Sequence, residues 1–150
     1  MSRVRSKHTA PEILVRRVLH ARGYRYRLHR RDLPGRPDIV LPRHCAAVFV
    51  NGCFWHGHDC SLFRMPATRP HFWAAKIEAN RARDAAARRN LHEEGWRTLD
   101  IWECALRGRR RLNQDELAEK LIEFLSGICA SRDIEGQPAS DLQAIAEWTA

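Results

Sequence analysis

Apolar residues Leu14, Val18 and Ala21 recur at helical spacing behind Thr9 and Glu12, a capping-box pair with Pro11 in the first turn. The pattern predicts a helix from about residue 10 to Arg22, stopped by Gly23. Tyr24-Arg25-Tyr26-Arg27-Leu28 then alternates like a half-buried strand. After a polar segment that ends in the turn Pro34-Gly35-Arg36-Pro37, two short runs follow, Asp38–Leu41 and Cys45–Val50. Only Pro42 to His44 separate them, which predicts a hairpin. Residues His71 to Glu94, rich in Ala and Arg and closed by Gly95, predict a long helix on a sheet with a basic outer face. Trp96–Trp102 alternates apolar with polar and predicts a third core strand that delivers Glu103 and Cys104 to its end. Asn113 with Glu116 caps a last helix through about Leu125. This order is that of a mixed α/β domain over residues 1–126. Residues 127–150 are acidic, contain Gly and Pro, and are expected to form a partly flexible tail with at most one short helix near Leu142–Trp148.

A length of 150 residues suits one domain with a real core. Charge changes the picture more. Residues 1–111 carry 24 basic and 10 acidic side chains, a net +14, whereas residues 112–150 carry 2 and 8, a net −6. A basic body of this kind attracts a polyanion, with nucleic acid the default candidate. A membrane surface fits poorly, because no segment is a long apolar run or a basic amphipathic helix with a bulky apolar face. The five cysteines are an odd number with no secretory segment before them, which points to reducing cytoplasm and to metal or free thiol.

The chemistry is concentrated in Asn51-Gly52-Cys53-Phe54-Trp55-His56-Gly57-His58-Asp59-Cys60. Cys53, His58 and Cys60 supply three ligands of the type a tetrahedral zinc needs, and Cys104 at the end of the third core strand is the natural fourth. His56 competes for that place. Four available ligands describe a closed, structural site rather than a hydrolytic zinc. Reduced structural thiols are the plain alternative; Cys45 and Cys129 suit it and receive no role.

An aspartate after proline is, in isolation, most simply a turn cap. Here Asp38 heads one hairpin strand while Val50 ends the other, so the two ends lie side by side with His56 a few residues on. Carboxylate and main-chain carbonyl oxygens suit Mg²⁺. His56, if left free of zinc, could take a proton from an attacking water. Phe54, Trp55, Phe72 and Trp73 would be core residues on an ordinary element, but a ten-residue metal loop has little room for a core. Exposed, such wedges can part base pairs, and a mismatched step opens more cheaply.

Four ordered motifs, Pro34-Gly35-Arg36-Pro37-Asp38, Asn51-Gly52-Cys53-Phe54-Trp55-His56, Pro66-Ala67-Thr68-Arg69 and Trp102-Glu103-Cys104-Ala105-Leu106, resemble the very-short-patch repair (Vsr) DNA mismatch endonucleases over about residues 3–125. That resemblance implies a restriction-endonuclease-like mixed sheet flanked by helices, with a structural zinc loop. It implies Mg²⁺-dependent nicking of one strand 5′ of the T in T·G mismatches left by deamination of 5-methylcytosine. It places the catalytic aspartate at Asp38, holding Mg²⁺ together with the Val50 carbonyl, and the catalytic histidine at His56. The zinc ligands fall on Cys53, His58, Cys60 and Cys104, and the intercalating aromatics on Phe54, Trp55 and Trp73. Glu12 and Asp84 enter the catalytic set on the resemblance alone. Implied partners are mismatched duplex DNA and mismatch-repair proteins, for a cytoplasmic, nucleoid-associated monomer. Family members carry Thr-His where this chain has Val50-Asn51, a change expected to weaken water positioning while leaving the carbonyl contact intact. The family's further N-terminal DNA-touching segment is not seen ahead of Met1-Ser2-Arg3, either because the start is set late or because this member does without that arm, and reduced affinity is the expectation. Rival readings are a restriction-type nuclease of the same fold on matched DNA and a non-catalytic zinc-stabilised DNA-binding module.

Overall fold

In a computed structural model, residues 8–138 are described. They form a five-stranded mixed sheet in the order β1-β2-β3-β4-β5 with helices on both faces. Helix α1 (Ala10–Ala21) starts at Thr9, whose hydroxyl accepts the Glu12 N–H. Strand β1 is only Arg27–Leu28, shorter than the predicted alternating run, and pairs antiparallel with β2 (Ile39–Leu41). Pro42–His44 makes a single 3-10 turn, after which β3 (Ala46–Asn51) returns antiparallel to β2. The long helix α2 (Pro70–Glu93) crosses over so that β4 (Arg97–Trp102) runs parallel to β3. Helix α3 (Glu103–Leu106) follows at once, and α4 (Gln114–Ser126) is capped by the Asn113 side chain on the Glu116 N–H.

Strand alternation sorts the core into two layers. Ile39, Leu41, Val48, Leu99 and Ile101 meet Val15 and Leu19 of α1 and Leu117, Leu121 and Phe124 of α4. The other face, with Val40, Ala47 and Phe49, meets Leu91 of α2. Only Ile77, Ala87 and Leu91 of α2 are buried, and its Lys76, Arg81, Arg83 and Arg89 are exposed, as the expected basic outer face requires.

One boundary is corrected. The tail expected from residue 127 is instead drawn into the sheet: β5 (Ser131–Ile134) pairs parallel with β4, and Ile134 is buried. Its sequence holds a single apolar residue and no alternation, so its local pattern carries no strand signal. What places it is the open edge of β4, whose backbone groups would otherwise lack partners. The short helix expected near Leu142–Trp148 lies outside the described residues. Among the described residues, no helix is long and apolar enough to cross a membrane.

Candidate metal centre and cleft

The end of β3, the loop after it and the end of β4 bring the chemistry together, because parallel pairing sets Asn51 beside Trp102. Two residues beyond the strand ends lie Cys53 and Cys104. With His58 and Cys60 they place one ligand atom each within 4.8 Å of all the others. The sulfurs of Cys53 and Cys104 lie 3.6 and 3.7 Å from His58 Nδ1. Zinc bonds of about 2.3 Å to sulfur and 2.0 Å to nitrogen imply tetrahedral edges of roughly 3.5–3.8 Å, so the cluster fits that ion. Main-chain N–H groups of Cys104 and Gly136 point at the sulfurs of Cys53 and Cys104. The hydrogen bond from Cys53 holds the Cys104 thiol down to about 6 against the rise that burial brings, and the same contact pushes Cys53 up.

The outer face of this knuckle is equally ordered. His58 Nε2 donates to Glu135 at 2.7 Å, which directs Nδ1 and its lone pair toward the sulfurs. The same ring stacks on Trp102 with centroids 4.1 Å apart. Glu135 sits just past β5, in the stretch expected to be tail, and its sequence position 77 residues from His58 offered no signal. Gly57, at φ 58, presses the loop onto α2: a Cβ there would come within 2.7 Å of Ile77 Cγ2. Any side chain at this position would both strain the backbone and lift the loop.

His56 is outside this cluster. Its Nδ1 instead hydrogen-bonds Asp84 of α2, and Asp84 is 4.0 Å from Arg88. With Nδ1 carrying the proton toward the carboxylate, Nε2 is left as a base. Arg88 also pairs with Asp100, which accepts from Asn51 Nδ2 at 2.8 Å. Asn51 is thereby turned toward α2, and Arg88, Asp100 and Asn51 form a polar chain that pattern reading did not identify.

On the other side of the loop lies a cleft of about 520 Å³, lined by Glu12, Asp38, Val50, Trp55, His56 and Arg107 among others. Asp38 Oδ2 accepts the Val50 N–H at 2.7 Å, as the side-by-side strand ends require. Burial pushes the Asp38 carboxyl up to about 6, and the neighbouring Glu12 carboxylate adds to the rise against the opposing Val50 N–H. Glu12 is 2% exposed and accepts from Arg16 at 2.5 Å and from the His8 N–H at 3.1 Å. One donor atom each from Glu12, Asp38 and His29 falls within 4.8 Å of the others. Two carboxylates at that spacing, Glu12 buried and Asp38 half-buried, offer oxygen donors beside the Arg16 pair, so the donor set fits a hard divalent ion. Sequence reading missed His29, whose only signal was a histidine closing the alternating Tyr24–Leu28 run. It also passed over Glu103, which accepts the Cys53 N–H at 3.2 Å and pairs with Arg107 at 2.6 Å, tying the knuckle to α3.

Phe54, Trp55 and Trp73 form a half-buried edge-to-face triangle with centroids 5.2–5.9 Å apart beside this cleft. Phe72 extends it and is 43% exposed, with the Arg69 guanidinium stacked on its ring. The Asn80 amide of α2 holds the Trp55 carbonyl at 3.0 Å, fixing the triangle's edge.

Comparison with known proteins bears on this arrangement. A family model described as DNA mismatch endonuclease Vsr matches residues 1–62. The chain is 43% identical over 137 residues to the DNA mismatch endonuclease Vsr of Escherichia coli, covering 91% of this chain and 88% of that one. It is 55% identical over 106 residues to the type II nicking enzyme V.XorIIP of Xanthomonas oryzae pv. oryzae, covering 71% and 78%. A third relative, the type II nicking enzyme V.NmeAIP of Neisseria meningitidis, is 40% identical over 118 residues, covering 76% and 84%.

Proposed function

The chain belongs to the Vsr DNA mismatch endonuclease family, and from that premise we propose that it nicks one strand of duplex DNA 5′ of the T in a T·G mismatch, by Mg²⁺-dependent hydrolysis in the Asp38 cleft. The observation that carries this reading is the meeting of Asp38, Glu12 and His56 in one cleft beside a rigid aromatic edge. A restriction-endonuclease-like fold is part of the same reading.

Asp38 and the Val50 carbonyl would hold Mg²⁺. Bound there, the ion supplies positive charge against the scissile phosphate. His56 Nε2, its ring set by Asp84, takes the proton that the attacking water gives up as the new P–O bond forms and the P–O3′ bond breaks, the leaving 3′-oxygen taking a proton from solvent. Arg107, at the rim, offers its guanidinium to the DNA backbone. Cys53, His58, Cys60 and Cys104 would hold a scaffolding zinc, and by doing so would tie the end of β3 to the end of β4 and fix the loop that carries His56 and the aromatics. The basic outer face of α2 faces the same polyanion.

Phe54, Trp55 and Trp73 are the wedge. Opening a base step costs roughly a few kcal/mol and costs less at a mispair, so a wedge converts stacking energy into selectivity. Otherwise identical T·G and C·G duplexes test the function: strong preference for nicking the T strand of T·G is expected. Equal cutting of both would favour the restriction-type rival, and no cutting of either the binding-module rival. Trp55→Ala is expected to lower the T·G preference about tenfold, in line with the roughly 1–3 kcal/mol of a base–aromatic stack. Unchanged discrimination in competition nicking assays would remove the wedge from the mechanism.

A further inference from the structure

We propose that His29 is a metal-binding residue of the Asp38 cleft and that it shifts this site's preference from Mg²⁺ toward Mn²⁺. The inference deepens the function proposed above and rests on it for the presence of a divalent ion at Asp38.

Three observations converge on His29. Its Nε2 belongs to the same compact set as the Glu12 and Asp38 carboxylate oxygens, all within 4.8 Å of one another. Nε2 lies 2.5 Å from Glu12 Oε1, yet among the described residues this buried nitrogen makes no properly directed hydrogen bond. Arg16 donates to the same Glu12 oxygen at 2.5 Å, so that oxygen is shared between Arg16 and the His29 ring. A buried ring nitrogen without a directed partner is unusual and asks for a ligand.

The backbone makes the same point. His29 follows β1 in the left-handed region at φ 47, while its N–H still donates to the Asp38 carbonyl at 3.1 Å. A non-glycine residue in that conformation carries a cost, kept where the surroundings over-determine it. Here the strand-end hydrogen bond locks His29 beside Asp38 and so commits its ring to the two carboxylates. The His8 ring packs edge-on against it at 5.1 Å, holding its plane.

The donor chemistry sets the metal. Mg²⁺ prefers oxygen throughout its shell, whereas an imidazole nitrogen suits the transition ions. Two carboxylates with one imidazole are therefore better matched to Mn²⁺ than to Mg²⁺, although carboxylate oxygens alone serve either.

The full chain, with its knuckle loaded with zinc, is titrated with Mn²⁺ and followed by electron paramagnetic resonance, with Mg²⁺ measured by competition. Nitrogen modulation in the spin echo of bound Mn²⁺ is expected. In His29→Gln the modulation should vanish and Mn²⁺ affinity fall about tenfold or more, while Mg²⁺ affinity changes by less than about threefold. His56→Gln should keep the modulation, and His29→Asn serves if the first variant folds poorly. Absence of modulation in the unaltered chain, or its survival in the His29 variants, overturns the role of His29 while leaving the Asp38 site standing. If Asp38→Asn leaves Mn²⁺ binding untouched, the underlying metal site falls as well.

Discussion

Asp38→Asn is expected to slow nicking of a T·G duplex by about a thousandfold or more while leaving duplex affinity within about twofold. The carboxylate sits in the cleft with Glu12, away from the exposed basic face of α2, so its loss removes chemistry and not attraction for DNA. The amide oxygen can still accept the Val50 N–H, which keeps the two strand ends together. Removing a half-buried charge beside a second carboxylate also relieves a cost. The metal-free variant should therefore melt at or above the temperature of the unaltered chain at neutral pH. Single-turnover nicking, gel-shift titration and thermal melting measure the three quantities. A variant that nicks normally would take Asp38 out of the reaction; one that loses activity only by unfolding would show Asp38 to be structural.

The second large effect concerns the knuckle. Cys104→Ser should release the zinc and cost about 5 kcal/mol or more, since structural zinc binding is itself folding free energy and whole domains are only 5–15 kcal/mol stable. In melting temperature that is on the order of 15 °C or more, or failure to fold. The reason lies in where Cys104 stands: two residues past β4, it would be the ligand that closes the β3 loop onto the neighbouring strand. Metal content by atomic emission and melting with and without chelator provide the check. A variant that keeps one zinc per chain and melts normally would remove Cys104 from the ligand set.

The two effects separate because the clusters are separate. His58 joins the three cysteines, whereas His56 stands outside that set, bonded to Asp84 and lining the cleft with Asp38. Two histidines one residue apart are divided between the metal knuckle and the candidate base by Gly57, whose positive φ permits the turn between them.

Much of this was legible along the chain. Capping residues Thr9 and Asn113 start their helices as expected, and the three-residue gap from Pro42 to His44 forces the hairpin that seats Asp38 beside Val50. Cys53, His58 and Cys60 advertise a metal by spacing alone, and Cys104 follows because a strand end can be held next to a loop. These are local signals: they depend on residue type and separation within a few turns of chain. Glu135 on His58, His29 beside Glu12, and the Arg88–Asp100–Asn51 chain were decided by tertiary structure. So was β5, which exists because β4 had an edge to pair and not because Ser131–Ile134 favours a strand. Partners of this kind meet through backbone pairing and packing across tens of residues, and a one-dimensional pattern holds no record of which edge or ring will be left wanting a partner.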